Sequence, residues 1–175
     1  TLEAFNSDGL RTLADTLTAP NMKEKTLRYP GHIEKMRVLR ESGFFSQEEI
    51  EVNGVKIKPV DFTSKLLFPM WELKEGDEEF TVMKIIVEGE KDKKKIRFTY
   101  NLLDRHDKKT NIHSMARTTG YTATTVVRLL AKGMFDQKGI CPPEYIGKKS
   151  ECVDFVLNGL KEKGVIYNKV IETLG

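Results

Sequence analysis

Apolar and polar positions alternate with period two through one stretch of the chain. From Lys95 to Leu103, Ile96, Phe98, Tyr100 and Leu102 alternate with Arg97, Thr99 and Asn101, and Phe80 to Glu88 is equally rich in β-branched and aromatic residues. Two such runs joined by a polar, glycine-led loop predict an antiparallel strand pair. Elsewhere the spacing is helical. Ile33, Met36 and Leu39 predict a helix from His32 to about Ser42, with Gly43 as its stop. Ala123, Val126, Val127, Leu130 and Met134 trace one face of a long helix over Ser114 to Lys132. Val153, Val156, Leu157 and Leu160 do the same for a last helix, with Ser150 as N-cap and Gly164 as stop. Asp61 to Trp71 predicts a short helix ending near Pro69.

The remaining segments are shorter. Thr1 to Phe5, Lys25 to Tyr29 and Val165 to Ile171 predict strands, and Leu10 to about Leu17 a short helix broken at Pro20-Asn21. Ser46-Gln47-Glu48-Glu49 has the form of a capping box, and the Asn53-Gly54 region after it reads as irregular. Asp104 to Asn111 reads as a polar turn, and Cys141-Pro142-Pro143 as an extended connector. The order of elements predicts an α+β fold around a mostly antiparallel sheet, with helices on one face.

Composition narrows the classes of function. The chain has 175 residues, 39% of them hydrophobic, enough for one well-cored domain or for one large and one vestigial; the reading taken is a single domain spanning 1–175. A net charge of +3 with interspersed lysines and glutamates gives no basic stripe, so nucleic acid is not an expected partner. The lysine-rich run Glu90 to Lys95 reads as a solvated hairpin tip. No apolar run has the length of a membrane span and no membrane partner is expected. Two cysteines without a CxxC pattern fit a reducing, cytoplasmic setting. The opening Thr1-Leu2-Glu3-Ala4-Phe5, strand-like and without an initiator methionine, reads as a piece of a longer protein.

Several chemistries lack their motifs. None of the thirteen glycines lies two positions from another, which leaves no G-x-G-x-x-G fingerprint and no P-loop. His32, His106 and His113 have no metal-ligand spacing, and no G-x-S-x-G elbow exists. His106 and His113 read as surface residues beside a charged turn.

The stretch Thr26-Leu27-Arg28-Tyr29-Pro30-Gly31-His32 is different. A strand ends in an arginine, Pro30-Gly31 turns the backbone, and His32 opens a helix. Helix N-termini favour anions, and a guanidinium fork suits a carboxylate. Arg28 is therefore a candidate carboxylate ligand; the alternative is a structural ion pair with Glu24 or Glu34. His32 is a weaker candidate. Asn6 and Ser7, in the turn Asn6-Ser7-Asp8-Gly9, offer amides and a side-chain amide to a polar substrate, or simply cap a helix. Thr119, in Met115-Ala116-Arg117-Thr118-Thr119-Gly120-Tyr121, belongs to a second helix opening whose N–H groups suit a ligand, or which only caps and packs. Trp71 reads as core or interface.

These three segments, with Lys138-Gly139-Ile140-Cys141-Pro142-Pro143-Glu144 after them, occur in one order that resembles the second domain of the saccharopine dehydrogenase family. The Asp8-Gly9-Leu10 and Pro30-Gly31-His32 variants are similar to its lysine 6-dehydrogenase-like branch. The resemblance implies an α+β domain similar to the C-terminal domain of glyceraldehyde-3-phosphate dehydrogenase, with the Rossmann domain absent from this chain. It implies that NAD or NADP is bound mainly by that Rossmann domain, and that this domain binds substrate and builds a homodimer. Arg28 then holds the carboxylate of a small amino-acid substrate, Asn6 and Ser7 line its pocket, and His32 and Thr119 extend it. No general base is implied. Where saccharopine reductases carry an arginine after the asparagine of the first motif, this chain has Ser7, which weighs against a saccharopine-sized substrate.

The implied enzyme is an NAD(P)-dependent amino-acid dehydrogenase acting on a CH–NH group when full length, with this chain alone inactive. The competing expectation is a non-catalytic dimerisation or scaffold module of the same fold. It would pair through a sheet face carrying Phe80, Val82, Ile86, Ile96 and Phe98.

Overall fold

Burial divides the chain unevenly. The computed structural model describes residues 1–175 and separates them into two units, Thr1–Glu75 and Gly76–Gly175. Every fully buried apolar side chain (Leu102, Leu129, Phe135, Cys152, Leu160 and Val165) lies in the second unit. All strand pairs in both units are antiparallel, so the fold is α+β with three small antiparallel sheets and six helices.

In the first unit, β1 (Glu3–Asn6) pairs with β2 (Lys25–Arg28), Glu3 opposite Arg28 and Phe5 opposite Thr26. Between them α1 is a single turn, Leu13–Thr16, shorter than the periodicity predicts because Arg11 takes a left-handed conformation (φ 49°) just before it. After β2 comes α2 (His32–Glu41). The segment read as irregular is a hairpin, β3 (Ile50–Val52) and β4 (Val55–Ile57). Asn53 and Gly54 both have positive φ, the requirement of a two-residue type I′ turn. The capping-box form misleads because Ser46 Oγ accepts only the Glu48 N–H, at 3.1 Å, in a local turn. Next, α3 (Pro59–Trp71) continues past the expected stop at Pro69. A proline so near the C-terminus removes only one of the last hydrogen bonds.

The second unit is built on β5 (Phe80–Lys91), β6 (Lys94–Arg105) and β7 (Tyr167–Leu174), in that order. The β5–β6 hairpin turns at Asp92-Lys93, both left-handed, so the charged run does sit at a hairpin tip. Its helices are α4 (Ser114–Ala131), α5 (Pro143–Gly147) and α6 (Ser150–Glu162). Leu102, Leu160 and Val165 form one core cluster with Tyr121, Val156 and Tyr167 around it, and Leu129, Phe135 and Cys152 form another.

The buried side of α4 is not the one its apolar residues predict. Ser114, Arg117, Thr125 and Leu129 are buried, while Val127 and Leu130 are 64% and 46% exposed. Arg117 can face inward because its charge is met there. Its Nε and Nη2 reach the Asp104 carboxylate at 3.1 and 3.2 Å, Nη1 reaches Asp107 at 3.2 Å, and Nη2 also donates to the Lys163 carbonyl at 3.0 Å. This pins β6, α4 and the end of α6 together.

Register also corrects the proposed pairing face. Ile86 lies opposite Thr99 and Phe80 opposite Arg105, whereas Phe98 lies opposite Val87 and Ile96 opposite Gly89. Side chains directly across a ladder share a face. Phe80, Val82 and Ile86 therefore lie on one face, and Ile96 and Phe98 on the other.

Candidate functional site

The turn after β2 is shaped by Gly31, whose φ of 86° is left-handed, and this lets α2 start immediately at His32. The first amides of α2 are the groups expected to attract a ligand anion. They already hold one. The Glu3 carboxylate accepts the Gly31 N–H at 3.0 Å and the Ile33 N–H at 2.8 Å. The amides of Ile33 and Gly31, in that order, hold the Glu3 carboxyl below the usual carboxylate range. The helix end thus works as a tie between β1 and α2 rather than as an open anion site.

The sign of that shift sets a pH dependence. A carboxyl with a lowered folded value adds stability above its unfolded value and loses it as pH falls through the folded one. The protection factors of the Gly31 and Ile33 amides, taken relative to the intrinsic exchange rate at each pH, are expected to fall selectively below about pH 4.5. Glu3→Gln is expected to remove this dependence and to exchange faster already at neutral pH.

Arg28 stands directly across the ladder from Glu3, on the same face. It is exposed, its Nη1 donates to the Leu27 carbonyl at 2.8 Å, and it forms no ion pair within the chain. Neither structural alternative is made. Glu24 accepts the hydroxyl of Ser7 and the N–H of Gly9 instead, the latter at 3.2 Å. Ser7 Oγ also lies 2.8 Å from Thr26 Oγ1. His32 stacks on Phe5, with ring centroids 6.4 Å apart and planes at 16°. Phe5 and Thr26 share the face of Glu3 and Arg28. One strand-pair face therefore gathers a guanidinium, two hydroxyls, a carboxylate and an imidazole on an aromatic ring.

The other candidates fall elsewhere. Asn6, one residue on from Phe5, is on the opposite face of β1. Thr119 belongs to the second unit, on the exposed side of α4, and its hydroxyl donates to the Met115 carbonyl at 2.5 Å. The second amide of α4 is also taken, since the Met115 N–H reaches Glu79 at 3.3 Å. His106 and His113 are half-buried and packed edge to face at 4.7 Å rather than spread on the surface. Trp71 is 54% exposed and so is not core.

Sequence reading missed Glu3 and Thr26, and named Glu24 only as an ion-pair partner of Arg28, not as the partner of Ser7 and Gly9 that it is. Glu3 is 28 residues from the amide it caps, and no local spacing announces such a contact. No group of three or more metal-ligating side chains comes together. Nor do these residues fit a nicotinamide dinucleotide. No parallel strand pair or glycine-rich strand-to-helix turn is present to cradle a pyrophosphate, and the openings of α2 and α4 each present a carboxylate. No helix is long and apolar enough to cross a membrane, and both cysteines are free thiols. Residues 1–165 match the family described as the saccharopine dehydrogenase C-terminal domain.

Proposed function

The chain belongs to the saccharopine dehydrogenase C-terminal domain family, and on that premise we propose that it is the substrate-binding and dimerisation domain of an NAD(P)-dependent oxidoreductase acting on the CH–NH group of a lysine-type amino acid. The observation that carries this reading is the state of Arg28. Its guanidinium is exposed, anchored at one nitrogen on the Leu27 carbonyl, and unpaired with any acid of the chain. An arginine held by its own backbone with its fork outward suits a planar carboxylate. Because Glu3 occupies the α2 amides, the guanidinium and not the helix end would bind the substrate anion.

Ser7 and Thr26 beside it offer hydroxyls to the amino-acid portion, and His32 on Phe5 gives a partly apolar wall. Asn6 reaches the pocket only by a change from its place on the other face of β1, and Thr119 stays a separate candidate on the second unit. NAD or NADP belongs to a Rossmann domain outside these residues. The contribution of this chain is to fix the position of the substrate.

Calorimetric titration with L-lysine, its methyl ester and cadaverine tests this. L-lysine is expected to bind, and the ester and the diamine, which lack the carboxylate, to bind at least about tenfold more weakly. Equal affinity for all three would rule out Arg28 as the carboxylate ligand. The scaffold reading is favoured by Ile86, Leu103 and Val170, which leave one sheet face 47–56% exposed at those positions. It expects no amino-acid binding at all.

A further inference from the structure

The face of the β1–β2 pair that carries Arg28 continues past the last ladder pair. Glu3 lies opposite Arg28 and Phe5 opposite Thr26, so the same period brings Ser7 and Glu24 to that face next. Their contact is made there. The Ser7 hydroxyl donates to Glu24 Oε2 and also lies 2.8 Å from Thr26 Oγ1. The Gly9 N–H donates to the same Oε2 at 3.2 Å. Oε1 accepts no hydrogen bond from the chain, and Glu24 is in no ion pair.

A glycine makes room for this carboxylate. A Cβ at Gly9 would lie 2.5 Å from Glu24 Cδ and 2.8 Å from its Cγ and Oε2, and the three nearest atoms all belong to Glu24. The two ends of the face are thus alike in construction and opposite in charge. Arg28 is anchored through Nη1 on the Leu27 carbonyl and Glu24 through Oε2, and each keeps its other half free. The second carboxylate of this face, Glu3, has both oxygens engaged by the Gly31 and Ile33 amides. Glu24 is therefore the acid of this face that is open to a cation.

We propose that Glu24 receives the side-chain ammonium of a diamino-acid substrate whose carboxylate lies on Arg28. This rests on the substrate-binding role proposed above for Arg28 and adds what the far end of the substrate meets. Four residues of extended chain place the Cα atoms of Glu24 and Arg28 about 13 Å apart. An extended L-lysine measures about 7.5 Å from carboxylate carbon to Nζ. A charge-assisted contact at each end adds about 2.8 Å, which brings the total to the same length. The α-ammonium is only two bonds from the carboxylate and cannot bridge this gap. A substrate ending in a second carboxylate would meet like charge at Glu24.

Calorimetric titration with L-lysine and L-norleucine, which keeps the carbon chain but ends in a methyl group, tests the pairing on the parent chain, Glu24→Gln and Gly9→Ala. Circular dichroism confirms folding. The parent is expected to bind lysine at least about tenfold more tightly than norleucine. Glu24→Gln keeps an acceptor for Ser7 and Gly9 but not the charge. It is expected to bring the two ligands within about threefold of each other by weakening lysine alone. Gly9→Ala keeps the charge but pushes it from its place, and is expected to narrow the ratio at least about threefold. Equal affinities in the parent, or a ratio that Glu24→Gln leaves unchanged, overturn the ammonium role. The Arg28 reading survives that result if Arg28→Ala still weakens both amino acids. Equal weakening of both ligands by Glu24→Gln marks a purely structural acid and also overturns the role. A parent chain that binds neither amino acid overturns both this role and the substrate-binding reading.

Discussion

Asp104→Ala is expected to destabilise the Gly76–Gly175 unit by about 3 kcal/mol, the lower end of the cost of removing one partner from a buried ion pair. Arg117 and Asp104 are 7% and 5% exposed, so neither charge has water to fall back on. Without Asp104, Arg117 keeps Asp107 and the Lys163 carbonyl but loses its bidentate partner. For a unit of this size the loss corresponds to a fall in melting temperature of about 12–20 °C, read by thermal denaturation in far-ultraviolet circular dichroism. Replacing both partners with apolar residues of similar volume, Asp104→Leu with Arg117→Met, is expected to recover most of it. A single variant that melts within about 2 °C of the parent would mean that the pair is solvated and does not organise α4.

Arg28→Ala is expected to do the opposite: leave stability nearly unchanged and weaken amino-acid binding strongly. The side chain is exposed and its one hydrogen bond is to the adjacent residue, so little of the fold depends on it. A guanidinium–carboxylate contact made on an open surface is worth about 2 kcal/mol, or roughly thirtyfold in affinity. Arg28→Lys keeps the charge but not the fork, and is expected to recover only part of that. The contrast between the two substitutions separates the roles of the two arginines. Arg117 holds the fold, and Arg28 is available to a ligand.

The two arginines also show which parts of the molecule could be read from sequence. The β5–β6 pair was legible because period-two alternation persists along long strands and needs no distant partner. The existence of α4 was legible for a similar reason, but its buried side was not. An arginine at position 117 counts as polar until Asp104, on another element, neutralises it. The β3–β4 hairpin carried a readable Asn-Gly signal that the capping-box form of Ser46 to Glu49 obscured.

At the candidate site the corner itself was legible, since Pro30-Gly31 turns the chain wherever it occurs. That its helix terminus is already capped was not, because Glu3 arrives from the neighbouring strand. Strand parity then separates Asn6 from Ser7 and Arg28 by placing it on the other face of β1, a distinction that adjacency in sequence conceals. The effect is to leave Arg28, already the candidate carboxylate ligand in the sequence, without the helix amides beside it.

The role of that side chain is tested most directly by titrating L-lysine into the parent chain and Arg28→Ala under identical conditions in a calorimeter. Measurable binding to the parent is expected, with a loss of about thirtyfold or more in the variant and the same melting temperature for both proteins. Equal binding by the two would contradict a carboxylate-holding Arg28.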